Sequence, residues 1–141
     1  MTRPLLHILS FIILFVGIAC TEQDQSKSSG NEVFKESGNP LVDKLSDKLE
    51  ENPADASIWY ARGNAFYDLE VYRQAISDYK RAIDLDSSKA QYWHDLADAY
   101  LDDVQSRKAL ETMEKAAEIF SERIPTLLKL SEFQLILKRY G

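Results

Sequence analysis

A 34-residue period in the second half of the chain limits its fold more than any other feature. Trp59 and Trp93 lie 34 residues apart, and five further pairs of similar residues repeat at the same offset. The five pairs are Gly63 and Ala97, Phe66 and Tyr100, Ala75 and Ala109, Tyr79 and Met113, and Ala82 and Ala116. A fixed period of this length predicts an array of like units, each of which buries an apolar face against the next.

Each period divides into two segments that we expect to be helical. The helices are expected at residues 55–69 and 73–85 of repeat one (55–86), and at residues 90–101 and 106–120 of repeat two (90–120). Small residues let the two helices of a repeat approach closely, whereas bulky residues fill the gaps between successive helices. The predicted repeat core consists of Trp59, Gly63, Phe66, Ala75, Tyr79, Ala82, Trp93, Leu96, Ala97, Tyr100, Ala109, Met113 and Ala116.

The repeated positions also resemble the sequence pattern of the tetratricopeptide repeat family. The first-helix pattern of that family, W-x-x-L-G-x-x-Y, is similar to Trp59-x-x-Arg62-Gly63-x-x-Phe66 and to Trp93-x-x-Leu96-Ala97-x-x-Tyr100. The chain departs from the family at Arg62, which replaces the usual Leu, and at Ser87 and Ser121, where Pro is common. The resemblance implies an all-α fold in which helical hairpins form a short right-handed solenoid.

Two further segments extend the predicted domain to residues 41–141. Apolar residues at Leu41, Val42, Leu45 and Leu49 predict a capping helix over residues 41–51. A half-repeat is expected over residues 125–141, and its apolar surface is larger than one terminal helix normally hides. Either the chain is a truncated product, or this last helix docks on a partner or on a second copy of the chain.

The N-terminus has the pattern of an export signal. Arg3 precedes an apolar run over residues 5–19, which is shorter than the roughly 20 apolar residues that a membrane helix requires. A basic start, an apolar stretch of this length and the small residue Ala19 are typical of a secretory signal peptide over residues 1–19. Cys20, the single cysteine of the chain, follows directly.

The segment Val16-Gly17-Ile18-Ala19-Cys20 resembles the lipobox of bacterial lipoproteins, with Gly17 at a position where that family prefers Leu. The resemblance implies that Cys20 carries a lipid and that residues 20–40, which are polar, form a flexible tether. Because Thr21 follows the cysteine, the sorting rule of that family favours the outer membrane of a bacterial cell envelope, facing the periplasm. The alternatives are an ordinary signal peptide with an incidental cysteine, or an uncleaved anchor.

The tetratricopeptide resemblance also implies a concave groove lined by the first helices of successive repeats. The groove positions of the two repeats are Tyr60, Asn64, Tyr67, Asp68, Gln91, His94, Asp95, Asp98 and Asp102, and the half-repeat adds Leu128, Lys129 and Glu132. Three of the aspartates share one helix face, so their charges repel and a basic ligand would relieve that repulsion. The alternative is an ordinary solvated acidic face.

Other classes of function find little support in the sequence. The net charge of −6 disfavours nucleic acid as a partner. Adjacent helix positions point about 100° apart, so His94 and Asp95 make a poor pair of metal ligands, and no metal or cofactor is expected. We therefore expect a non-catalytic, membrane-anchored module that binds a protein or peptide, as an adaptor in an envelope complex. The alternative is an accessory subunit, or a truncated remnant, of a larger secretion or polysaccharide-processing enzyme system.

Overall fold

A computed structural model describes residues 37–140, and this range is built from six helices joined by short turns. The helices are α1 (Pro40–Glu51), α2 (Ala56–Asp68), α3 (Tyr72–Leu85), α4 (Ala90–Asp102), α5 (Ser106–Ile119) and α6 (Ile124–Tyr140). The predicted all-α repeat fold is confirmed, and no strand occurs between residues 37 and 140. The predicted signal peptide, Cys20 and most of the tether lie outside the described residues.

Local sequence explains where several helices begin and end. The Asn39 side chain accepts hydrogen bonds from the backbone N–H groups of Leu41 and Val42, at 2.9 and 3.2 Å, and so caps α1. Glu70 and Val104 follow α2 and α4 at equivalent positions of the two repeats, and both adopt the left-handed conformation, with φ of 60° and 59°. This conformation reverses the chain after each first helix and allows the next helix to pack against it.

The helices stack in chain order, each one packing against the next. The predicted core residues lie in the interior, and only Tyr100 among them is half-buried. Gly63 shows why the repeat needs a small residue at that point, since an added Cβ would lie 2.7 Å from two ring carbons of Tyr79. The aromatic residues that repeat with the 34-residue period therefore belong to the core of the helix stack.

The two tryptophans of the period make the same hydrogen bond in each repeat. The indole N–H of Trp59 donates to the carbonyl oxygen of Pro53 at 2.9 Å, and that of Trp93 donates to the carbonyl oxygen of Ser87 at 3.1 Å. Because the acceptor is a backbone carbonyl, the residue that supplies it need not be proline. This explains structurally why Ser87 is tolerated where the family often has Pro.

Arg62, the departure from the family pattern, forms a buried ion pair that joins three helices. Its Nε and Nη2 atoms donate to the carboxylate of Asp78 on α3, at 2.7 and 2.8 Å. Its Nη1 atom donates to the Ser46 hydroxyl on α1 at 3.1 Å. The guanidinium carbon lies 4.8 Å from the centre of the Trp59 ring and 5.8 Å from that of Phe66. A charge at a buried position is tolerated here because each of the three guanidinium nitrogens has a hydrogen-bond acceptor.

The last helix, α6, keeps the register of the repeats. Thr126 and Phe133 are buried against the stack, with 0 and 2 % of their surface exposed. Leu127 stands one period after Trp93, but its side chain is 39 % exposed. In the two complete repeats a second helix covers this position. The equivalent face of α6 is open within the described residues, as are Leu128 and Leu135 beside it.

The ion pair of Arg62 leads to a test by substitution. Arg62→Leu should lower the free energy of unfolding by about 3–5 kcal/mol, because it leaves the Asp78 carboxylate buried without a cation. The double variant Arg62→Leu/Asp78→Thr installs the residues that repeat two has at these positions, Leu96 and Thr112. It should therefore recover most of that loss in urea denaturation. A double variant no more stable than the single one would show that the cost does not come from the unpaired carboxylate.

Candidate protein-binding groove

A pocket of about 190 Å³ lies between α2, α3 and α4, and we call it the groove pocket. Its lining residues are Tyr60, Asn64, Tyr67, Asp68, Tyr79, Asp95 and Asp98. Six of the nine groove positions expected in the two repeats therefore meet around one space. The seventh lining residue, Tyr79, comes from the second helix of repeat one.

Three of the groove aspartates each accept a hydrogen bond from a neighbouring first helix. The hydroxyl of Tyr60 donates to Asp95 at 2.6 Å, and the hydroxyl of Tyr67 donates to Asp102. The ammonium of Lys129 on α6 donates to Asp98 at 2.8 Å. We call these three contacts the inter-repeat ladder. It connects α2 to α4 and α4 to α6.

The ladder changes the electrostatic interpretation of the acidic face. Asp95, Asp98 and Asp102 do share one face of α4, but each already has a donor within the fold. Lys129 forms an ion pair with Asp98, and both side chains are half-buried. Burial raises the pKa of Asp98, and the hydrogen bond from Lys129 acts in the opposite direction. Gln91, at the edge of the groove, donates a further hydrogen bond to Asp95 at 2.7 Å.

Asp68 is the groove carboxylate that stands apart from the ladder. Its side chain is exposed and lines the groove pocket beside Tyr67. None of the hydrogen bonds or ion pairs found among residues 37–140 involves its carboxylate. Asp68 is therefore the carboxylate in this pocket that a ligand can approach without displacing an internal donor.

Tyrosine rings form the walls of the groove pocket. The Tyr60 ring stacks on that of Tyr92, with centres 4.4 Å apart, and lies 5.7 Å from that of Tyr79. The hydroxyl of Tyr79 donates to the side-chain oxygen of Asn64 at 2.8 Å. Burial and the hydrogen bond to Asp95 raise the pKa of Tyr60 to about 12, so its hydroxyl remains a donor at neutral pH.

Comparison with known proteins agrees with this arrangement. Residues 63–103 match a family model described as the TPR repeat, and residues 90–122 match one described as the tetratricopeptide repeat. These matches support the tetratricopeptide repeat family. The chain is also 30 % identical over 82 residues to the human "Superkiller complex protein 3". That alignment covers 58 % of this chain but only 5 % of the human protein.

Tetratricopeptide repeats generally bind protein partners and are generally non-catalytic. Within residues 37–140, no group of three or more His, Cys, Asp or Glu side chains is arranged to hold a metal ion. None of the helices in that same range combines the length and apolar character needed to cross a bilayer. Residues 63–122 are thus similar to repeats of a kind that generally binds protein.

The structure differs from the prediction at His94, which was expected as an exposed groove histidine. Its side chain is only 8 % exposed, and its Nε2 atom lies 3.0 Å from the hydroxyl oxygen of Thr126 on α6. His94 therefore joins the half-repeat to repeat two and is not open to a groove ligand. The expectation failed because α6 packs over this side of α4. Burial lowers the pKa of His94, and the charges of Lys129 and Arg123 lower it further.

The three groove positions expected from the half-repeat have different surroundings. Lys129 is engaged in the ladder, whereas the side chains of Leu128 and Glu132 are exposed. Tyr79 and Thr126 also shape this region and were not among the expected groove residues. Tyr79 was assigned to the core alone, and nothing in the repeat pattern shows that its hydroxyl reaches the groove.

The buried His94 predicts a pH dependence of stability. The unfolded chain binds a proton at this residue near the ordinary pKa of 6.5, and the folded chain binds it less readily. The stability that depends on neutral His94 is therefore present above pH 6.5 and is lost as pH falls below that value. Between about pH 7.5 and about pH 5, the free energy of unfolding should fall more for the wild type than for His94→Gln. Equal falls in parallel urea titrations would contradict this role.

Proposed function

We propose that this protein is a non-catalytic module that holds a segment of another protein in the groove formed by α2 and α4. The proposal is supported by the two repeat matches over residues 63–122 and by the pocket at the centre of the groove. The observation that carries it is the exposed Asp68 beside the tyrosine walls. The pocket is not filled by side chains of the described fold, and its volume of about 190 Å³ suits a single side chain.

The chemistry of the groove pocket favours a cationic side chain, Lys or Arg, as the group that enters it. Tyrosine faces attract cations, with a contribution of about 0.5–1 kcal/mol at exposed sites. The Asp68 carboxylate supplies an opposite charge and accepts hydrogen bonds. Asp95 and Asp98, although they have internal donors, add to the negative potential around the same space. A ligand with an acidic side chain at this point would meet three carboxylates.

Substitution of Asp68 tests this ligand class. The probe is a fluorescein-labelled Gly-Ser peptide with one central Arg, compared with the same peptide carrying Gln. Asp68→Asn should weaken binding of the Arg peptide about two- to fivefold, which is the range of an exposed ion pair. Fluorescence anisotropy measures both peptides.

The matched control for this test is Asp47→Asn on α1. Asp47 is exposed and does not line the groove pocket, and its substitution changes the net charge equally. Binding to this variant should equal that of the wild type. If the wild type bound the Arg and Gln peptides equally, the proposed preference for a cationic side chain would be wrong. The proposal that the module binds protein would not be tested by that result.

We further propose that the module is tethered to a bacterial membrane through a lipid on Cys20. The support is in the sequence: an apolar export segment, a small residue before the cysteine, and a polar stretch before α1. On this proposal the groove faces the periplasm from the outer membrane and acts as an adaptor in an envelope complex. The second candidate role is an accessory subunit of a secretion or polysaccharide-processing system. The genes that neighbour this one would distinguish the two roles.

Lipid labelling tests the tether separately from the groove. Cells expressing the wild-type chain should incorporate labelled palmitate into it and retain it in the membrane fraction. Cys20→Ala should abolish the labelling, because the thiol is the group that would carry the lipid. The Asp68→Asn variant serves as the control and should label as the wild type does. Continued labelling of Cys20→Ala would refute this tether.

A further inference from the structure

The buried ion pair of repeat one has an equivalent set of positions in repeat two. Ser46, Arg62 and Asp78 lie one 34-residue period before Lys80, Leu96 and Thr112. In repeat one these positions hold the guanidinium network that fills the space between α1, α2 and α3. In repeat two the guanidinium and the carboxylate are both replaced by shorter, uncharged side chains.

The structure has a pocket of about 380 Å³ at this equivalent place, between α3, α4 and α5. We call it the lysine-rimmed pocket. Its lining residues are Lys80, Ile83, Asp84, Trp93, Leu96, Tyr100, Lys108, Glu111, Thr112 and Lys115. They include none of the residues that line the groove pocket, so the two spaces are separate.

The floor of the lysine-rimmed pocket is apolar and aromatic. Trp93 and Leu96 are 6 and 5 % exposed, and Tyr100 is half-buried beside them. The hydroxyl of Thr112 donates to the backbone carbonyl of Lys108 at 2.7 Å, so its proton is already engaged. This floor therefore favours an apolar or aromatic group over a polar one.

The rim of the pocket carries more positive than negative charge. Lys80, Lys108 and Lys115 line it together with two acidic residues, and all five side chains are exposed. The ammonium of Lys108 lies 5.6 Å from the centre of the Tyr100 ring, and that of Lys115 lies 5.4 Å from the Trp93 ring. One of the acidic residues, Glu111, lies 3.8 Å from the guanidinium of Arg107. A cationic rim of this kind is notable on a chain whose net charge is −6.

We propose that the lysine-rimmed pocket is a second binding site, which takes an acidic protein segment with one apolar or aromatic anchor residue. The anchor side chain packs over Leu96 between Trp93 and Tyr100. The carboxylates on either side of the anchor pair with the ammonium groups of the rim. Charge complementarity favours this occupant, because the rim carries three lysines against two carboxylates. Seven of the ten lining residues lie on α3 and α5, the second helices of the two repeats, and none of the ten lines the groove pocket.

Trp93 supplies a direct reporter of occupancy. The chain contains two tryptophans, so Trp59→Phe leaves Trp93 as the single indole fluorophore. The probe is an acetylated peptide with one Phe between two pairs of Glu, added to the full chain. It should change Trp93 fluorescence in a saturable way. The same peptide with Ser in place of Phe should bind on the order of tenfold more weakly, as should one with Lys in place of Glu.

Two variants separate the site from general charge effects. Lys80→Glu/Lys115→Glu should weaken binding on the order of tenfold, whereas Lys44→Glu/Lys48→Glu on α1 makes the same charge change and should not. Lys80→Ser/Leu96→Arg/Thr112→Asp copies the network of repeat one into the pocket and should abolish binding. Circular dichroism checks that each variant is folded.

The proposal fails if the Phe and Ser peptides bind equally, since binding would then be electrostatic only. It also fails if the lysine variant on the rim binds as tightly as the control variant on α1. The anisotropy of a fluorescein-labelled Phe peptide, measured with the unsubstituted chain, provides a second test. This test does not depend on whether the Trp59→Phe variant folds. Unchanged anisotropy on the wild type would overturn the proposal.

Discussion

The buried contact between Arg62 and Asp78 is the interaction on which the first half of the stack depends. A guanidinium that is 2 % exposed is held by a carboxylate that is 4 % exposed, and the same guanidinium reaches the Ser46 hydroxyl of α1. Buried ion pairs contribute little net stability compared with apolar packing, but removing one partner is costly. The pair therefore fixes the relative placement of α1, α2 and α3, because other placements would leave a buried charge without its partner.

The period in the sequence was sufficient to predict the helices, because each hairpin repeats the same small and bulky positions. The observed helix bounds lie within one residue of the expected ones. Contacts between repeats were harder to predict, because they depend on how two hairpins approach each other. His94 shows this: its partner Thr126 is 32 residues away, on the first helix of the half-repeat. Arg62 was recognised as unusual, but its partner 16 residues away was not identified.

Two pockets of the described fold have opposite electrostatic character, and one of them lies where the repeats differ. The groove pocket lies among the first helices and is lined by tyrosines and carboxylates. The lysine-rimmed pocket lies where repeat two has Leu96 and Thr112 in place of the charged pair of repeat one. Repetition supplies the scaffold, whereas the exceptions at Leu96 and Thr112 give the lysine-rimmed pocket its chemistry.

The inter-repeat ladder has a consequence for how the groove responds to a ligand. The hydrogen bonds from Tyr60 to Asp95 and from Tyr67 to Asp102 each span 35 positions and join successive hairpins. A ligand that captured one of these carboxylates would release a tyrosine hydroxyl, so its affinity and the angle between hairpins would be thermodynamically linked. Asp68 lies outside the ladder. A ligand held there breaks no hydrogen bond of the ladder, so its binding does not require the angle between hairpins to change.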